Sequence, residues 1–196
     1  MPKVYTTHPI FNFGVAMVLT LGLFGVSVLS FEFISNHRSS NSTSIYALEI
    51  VKSIEIYTSA SIEIIHSRNN YIELANSSIV YSLDNGKLKL TDSGLGLVQV
   101  FTAPDKNVRI YVSSLESITL FANTELRVSL PKTQQPKLEV IGSGSIYASD
   151  IDSQDLNTKI VGSGKIILNG KTERIISNIL GSGTTDTSNL EIKYSD

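Results

Sequence analysis

Serine, histidine and carboxylate side chains are the ones in this 196-residue chain whose types could do chemistry, since it contains no cysteine. The most regularly placed serines recur in a tripeptide: Gly142-Ser143-Gly144, Gly162-Ser163-Gly164 and Gly181-Ser182-Gly183, at spacings of 20 and 19 residues. A serine nucleophile of the elbow type needs Gly-x-Ser-x-Gly between a strand and a helix. These copies lack both the flanking residues and the helix. His8, His37 and His66 have no second ligand near them in sequence, so no metal site is expected. Asp150 and Asp152 could share one face of an extended chain, but capping a turn is the commoner use of such aspartates. Neither a phosphate-binding glycine loop before a helix nor the Asp-bearing nonapeptide of calcium-binding β-rolls occurs. No catalytic residue, cofactor or metal is expected, and the chain reads as something other than an enzyme.

The whole chain narrows the field further. A formal net charge of −2 leaves no basic footprint, which argues against a nucleic-acid partner. From Phe11 to Phe31 the sequence is almost wholly apolar, and about 20 helical residues suffice to cross a hydrocarbon core. A short tail (1–10) and a transmembrane helix (11–34) are therefore expected. A cleaved secretory signal is the alternative, although its apolar region runs to only about 7–15 residues. Gly14, Gly22 and Gly25 would offer that helix a face for close packing. Lys3 ahead of the span favours a cytoplasmic N-terminus and a periplasmic or extracellular body. Residues 35–44, rich in Ser and Asn, read as a flexible tether, leaving 45–196 as the body.

Elements able to position anything in that body must be strands. Ser53–Tyr57, Ser61–Ile65, Lys87–Leu90 and Val108–Val112 alternate apolar and polar residues, and no stretch beyond residue 40 carries a helical apolar period. Asp84-Asn85-Gly86 suits either a hairpin or a corner. Tyr46, Tyr57, Tyr71, Tyr81, Tyr111 and Tyr147 are spread through the body with Phe101 and Phe121; most are expected to pack against a strand face, the alternative being an outer contact surface.

The tripeptide decides the architecture. "LEVIGSGSIYAS", "TKIVGSGKIILN" and "SNILGSGTTDTS" align, and "ITLFANTELRVS" (118–129) fits the same frame one period earlier with Phe121 in the place of Ile141. Twenty extended residues make a circuit of roughly 65 Å, and a climb of about 4.8 Å per circuit pairs each strand with its own copy. Glycine then returns wherever a corner needs a positive φ. Ser143, Ser163 and Ser182 would form a hydroxyl ladder, and Val140, Ile160 and Ile179 a dry inner column. The expected fold is all-β, a single-stranded parallel β-helix (solenoid) of about 20-residue coils, preceded by one N-terminal transmembrane helix. Its outward columns would read Ser145/Lys165/Thr184, Tyr147/Ile167/Asp186 and Asp150/Gly170/Asn189, none with two carboxylates.

These residues resemble the family of auto-transporter adhesins, head GIN domain. The likeness rests on "VKSIEIYTSASIEIIHSRNNYIELA" (51–75), "DNGKLKL" (84–90), "NVRIYVSSLESITL" (107–120) and the repeated apolar-x-apolar-Gly-Ser-Gly unit, in that order. It spans Ile45 to about Glu191. Ser145, Lys165 and Thr184 stand where the family often has Asp, and Ala122-Asn123-Thr124 replaces the first glycine corner, so the chain resembles a divergent, shortened member. The resemblance implies an exported β-solenoid. From it we expect a membrane-anchored, non-catalytic scaffold or adhesion module that meets protein partners or a glycan. An accessory subunit of a large membrane complex (respiratory, photosynthetic or secretory) is the alternative, and an exported carbohydrate-active enzyme a more distant one.

Overall fold

Alternating Ile, Leu and Val residues need a surface to cover, and in the computed structural model they cover one another. The structure describes residues 43–75, 79–92 and 107–194, which hold thirteen strands and no helix. The chain opens with β1 (Thr43–Ala47), β2 (Ser53–Tyr57), β3 (Ser61–His66) and β4 (Tyr71–Ala75). Next come β5 (Ile79–Asp84), β6 (Lys87–Asp92), β7 (Asn107–Val112), β8 (Ser117–Leu120) and β9 (Glu125–Ser129). The repeat region supplies β10 (Lys137–Gly142), β11 (Ser145–Gly162), β12 (Lys165–Gly181) and β13 (Thr184–Ile192). All belong to one curled, mixed sheet with its apolar core on the inner face.

The repeat pairs parallel to itself one period apart. Val140 lies beside Ile160 and Ile160 beside Ile179, while Gly142, Gly162 and Gly181 follow the same line. Upstream, Leu120 lies beside Val140. Leu120, Val140 and Ile160 are fully buried, each worth about 1.5–3 kcal/mol over an exposed position. A slip of one residue would turn Leu138 and Val140 outward and Glu139 inward, so the register is fixed by both terms. Ile179 departs from the expected dry column, being 42% exposed because no further strand among the described residues lies over it.

The change in spacing from 20 to 19 has a local cause. The pairing of β11 with β12 shifts between Ala148 and Ile151, where Asp150 takes φ 55 as the extra residue of a bulge. Ser129 Oγ and Ser149 Oγ both donate to Asp150 Oδ2, at 2.9 and 3.1 Å. The column expected as Asp150/Gly170/Asn189 is consequently Ile151/Gly170/Leu190.

The uniform parallel winding read from the sequence is corrected in two respects. First, β1–β4, β4–β7 and β5–β6 are antiparallel. The Asn85-Gly86 turn closes the β5–β6 hairpin with φ 49 and 79, the two positive angles of a type I′ turn. Second, strand order departs from chain order. β2 lies between β6 and β8, so Ser53 has Lys87 on one side and Ser117, 64 residues later, on the other.

The transmembrane helix expected at 11–34, with Gly14, Gly22 and Gly25, lies outside the described residues, as do the tail and most of the tether. No helix long and apolar enough to cross a membrane occurs among the described ones. Strand β1 begins at Thr43, so Thr43 and Ser44, read as the end of the tether, are extended and paired to β4.

Candidate interaction surface

The tripeptides form corners whose two glycines are required for different reasons. Gly142, Gly162 and Gly181 take φ 121, 120 and 125, where a side chain is strained. Gly144, Gly164 and Gly183 have no such angle; they are needed for space. A Cβ on Gly164 would overlap Val140 Cγ1 and one on Gly183 would overlap Ile160 Cγ2, both from the strand beneath. The expected hydroxyl ladder is replaced by amides. Ser163 N donates to Gly142 O and Ser182 N to Gly162 O, each at 2.9 Å, while Ser143, Ser163 and Ser182 are themselves exposed. Gly170, not singled out from the sequence, is equally constrained by φ 132 and by the Ile151 backbone against it.

Each corner follows an apolar pair, and alternation turns one member in and the other out. Ile56, Leu120, Val140 and Ile160 point inward and are fully buried. Their successors Tyr57, Phe121, Ile141 and Val161, and then Leu180, line the outer face in register. Phe121 N donates to Ile56 O at 2.8 Å, which sets Phe121 beside Tyr57. The two rings stack at 4.3 Å and 6°. Ile141, Val161 and Leu180 continue the line across β10, β11 and β12. Tyr57 is 38% exposed and Leu180 57%, with the residues between them half-buried. Lys89 Nζ sits 4.6 Å from the Tyr57 ring centroid. Partial burial, then the neighbouring Glu55 carboxylate, push the Tyr57 phenol up, so it presents a neutral hydroxyl.

Charged columns flank this stripe. Glu139, 8% exposed, accepts from Lys159 Nζ at 2.6 Å and meets Lys137 Nζ at 3.4 Å. Burial pushes its carboxyl up, but the Lys159 hydrogen bond and the two lysine charges outweigh that and hold it below the ordinary carboxylate range. Farther round the sheet, Arg109 bridges Glu63 at 3.3 Å and Glu73 at 3.7 Å, beside a Tyr71–Tyr111 stack of 4.1 Å. Arg127 lies 5.1 Å from the Tyr147 ring centroid. Tyr57, Phe121, Tyr71, Tyr111 and Tyr147 thus lie on the outer face, whereas Tyr46 and Tyr81 pack against the core as expected; Phe101 lies outside the described residues.

A second feature is a shallow groove of about 730 Å³ beside the Pro131–Pro136 loop, lined by Lys132, Gln134, Asp152, Lys171, Thr172 and Glu191 among others. The loop is built into the sheet: Gln134 O accepts from Gln154 N and Asp155 N. The bulge at Asp150 alters one column in this groove, which now runs Asp152, Lys171, Glu191. Contrary to the sequence reading, one column does hold two carboxylates. Two strand spacings, about 10 Å, separate them, and Lys171 stands between, 3.6 Å from Asp152. Paired charges and hydroxyls of this kind suit hydrogen bonding to a polar ligand. Among the described residues no three His, Asp or Glu side chains gather as a metal site.

Sequence reasoning missed the stripe as a unit, although its signal was present in the apolar pairs before each corner. The inner column Val140/Ile160/Ile179 uses one member of each pair and leaves the other without an assigned role.

No curated protein matches the chain. Among solved structures, a Bacteroides fragilis protein described as a putative adhesin is 17% identical, with a TM-score of 0.60 over 78% of this chain and 73% of that one. A Parabacteroides distasonis protein described as a putative lipid binding protein is 17% identical, with a TM-score of 0.56 over 79% and 76%. At such identities the likeness speaks for a shared fold. Residues 51–196, well over half of the chain, match the DUF2807 family, "Putative auto-transporter adhesin, head GIN domain", and the chain belongs to that family.

Proposed function

We propose that this chain is a membrane-anchored, non-catalytic interaction module outside the cytoplasm, acting as an adhesin or scaffold. In this reading the parallel pairings of the repeat wind as a short β-helix, the apolar run at 11–31 holds it at a membrane, and its outer face meets a protein or glycan surface. The observation that carries the proposal is the stripe Tyr57–Phe121–Ile141–Val161–Leu180, drawn from neighbouring strands and held in line by backbone register. Aromatic and aliphatic side chains beside Lys–Glu pairs are the composition of a binding patch with a polar rim. Membership of an adhesin family supports the same role.

The test is adhesion of cells displaying the full chain to candidate host or bacterial surfaces. Ile141→Lys with Val161→Lys should abolish attachment, whereas Lys171→Ala in the groove should leave it intact. If the groove variant alone lost attachment, the polar groove would be the binding site and the stripe would not. A stoichiometric partner retained through purification in mild detergent would instead favour the accessory subunit. Turnover of a polysaccharide would return the enzyme reading.

A further inference from the structure

We propose that the free edge of β12, Ile175–Gly181, pairs antiparallel with the same edge of a second copy of this chain to form a two-fold dimer. This goes beyond the adhesion reading and does not depend on it. Strand β12 changes character along its length. Residues Lys165–Thr172 have β11 on one side and β13 on the other, but among the described residues Ile175–Gly181 has only β11. Among the described residues its other edge pairs with no strand.

Sheet edges left open are normally guarded by charge. The neighbouring edge strand β13 obeys this with Asp186 and Glu191, whereas Ile175-Ile176-Ser177-Asn178-Ile179-Leu180-Gly181 contains no charged residue. Three of the seven exposed large apolar side chains on the described residues, Ile176 (53%), Ile179 (42%) and Leu180 (57%), fall within it.

The segment is complementary to itself. Antiparallel pairing centred on Asn178 sets Ile176 of each copy opposite Leu180 of the other, and Ser177 opposite Ile179. Arg174, the nearest charge, falls opposite Ser182 and away from its own copy. A symmetric, closed contact follows, in which the same patch serves both partners. The alternative self-contact pairs this edge with the opposite edge strand β5, where Val80 is 41% exposed; that arrangement does not close and would give filaments.

Because the chain lacks cysteine, single introduced thiols report these contacts without interference. Full-length N178C, S82C and N178C/L180K are extracted in mild detergent, checked for strand content by circular dichroism, and oxidised gently. Opposed residues of an antiparallel pair lie about 4.5–5.5 Å apart between Cα atoms, within disulfide range. N178C should link to itself, S82C should not, and a mixture of the two should give no mixed species. L180K, which restores a charge to the edge, should cut N178C linkage at least tenfold; I176K serves the same purpose if L180K fails to fold. Unlinked N178C at every concentration overturns the proposal, whether the edge is empty or capped by a copurifying protein. Mixed N178C–S82C links overturn it in favour of a filament, and equal linkage of N178C and S82C shows that some other part of the chain brings copies together.

Discussion

Alanine at Gly142 and alanine at Gly162 should differ sharply in cost, although the two glycines have the same backbone angle. Both sit near φ +120, and forcing a side chain there costs about 1–3 kcal/mol. At Gly142 a Cβ would meet nothing within 4 Å among the described residues; the strand beneath ends at Leu120, and its Ala122-Asn123-Thr124 corner has no positive φ. At Gly162 the same atom would stand 2.5 Å from Gly142 O, the acceptor of the Ser163 amide. Relief requires that carbonyl to move. The loss of one backbone hydrogen bond, about 1 kcal/mol, then adds to an overpacking cost of about 1–3 kcal/mol. Gly162→Ala should therefore be roughly 2–4 kcal/mol worse than Gly142→Ala. Urea unfolding followed by tyrosine fluorescence, usable because the chain has no tryptophan, measures the difference. With a slope of about 1–3 kcal/mol per molar, the midpoints should lie about 0.7–4 M apart. Equal midpoints would mean that the corners do not bear on one another, and the argument for stacked glycines would fail.

Among the described residues the buried Thr158 Oγ1 has no hydrogen-bond partner, so Thr158→Val should raise stability by about 1 kcal/mol in the same unfolding assay; a loss would show that the hydroxyl is satisfied. Glu139 has a folded pKa below its unfolded value, so its contribution is full above about pH 4.3 and is lost as pH falls through the folded pKa. Glu139→Gln should accordingly cost about 1–2 kcal/mol near neutral pH and progressively less in acid, read from unfolding midpoints across that range. Asp155 accepts from Arg174 Nε at 2.8 Å and Gln135 Nε2 at 3.1 Å; Asp155→Ala should cost about 1–3 kcal/mol and speed hydrogen exchange at the Gln154 and Asp155 amides that bind Gln134.

The repeat was legible because its signal is local. An apolar pair, a glycine, a serine and a glycine at nearly constant spacing specify both the inward column and the corner, so the pairing of β10, β11 and β12, and of β8 through its matching frame, could be read directly from the chain. The odd residue was not legible in its place. Spacings of 20 and 19 announce an irregularity somewhere, but nothing in "SIYASDIDSQ" marks Asp150 as the bulge, and the register of the groove turned on it. Strand order in the first half was hidden for a different reason. Ile54, Leu88 and Ile118 offer the same alternation on either side, so periodicity alone cannot say which neighbours which. The stripe is hidden in the sequence because one member of each apolar pair suffices for the inner column, and nothing local marks its neighbour as part of a line.

The position of β2 between β6 and β8 bears on how the protein is made. Its first neighbour arrives with Lys87 and its second with Ser117, so at synthesis rates of about 5–20 residues per second the second follows Ser53 itself by roughly 3–13 s. Throughout that interval an apolar, β-prone segment stands unpaired on at least one side, the sort of nascent chain that holding chaperones bind. Completion from the ribosome outward is denied to this sheet; its opening strands must wait for those from the middle of the message.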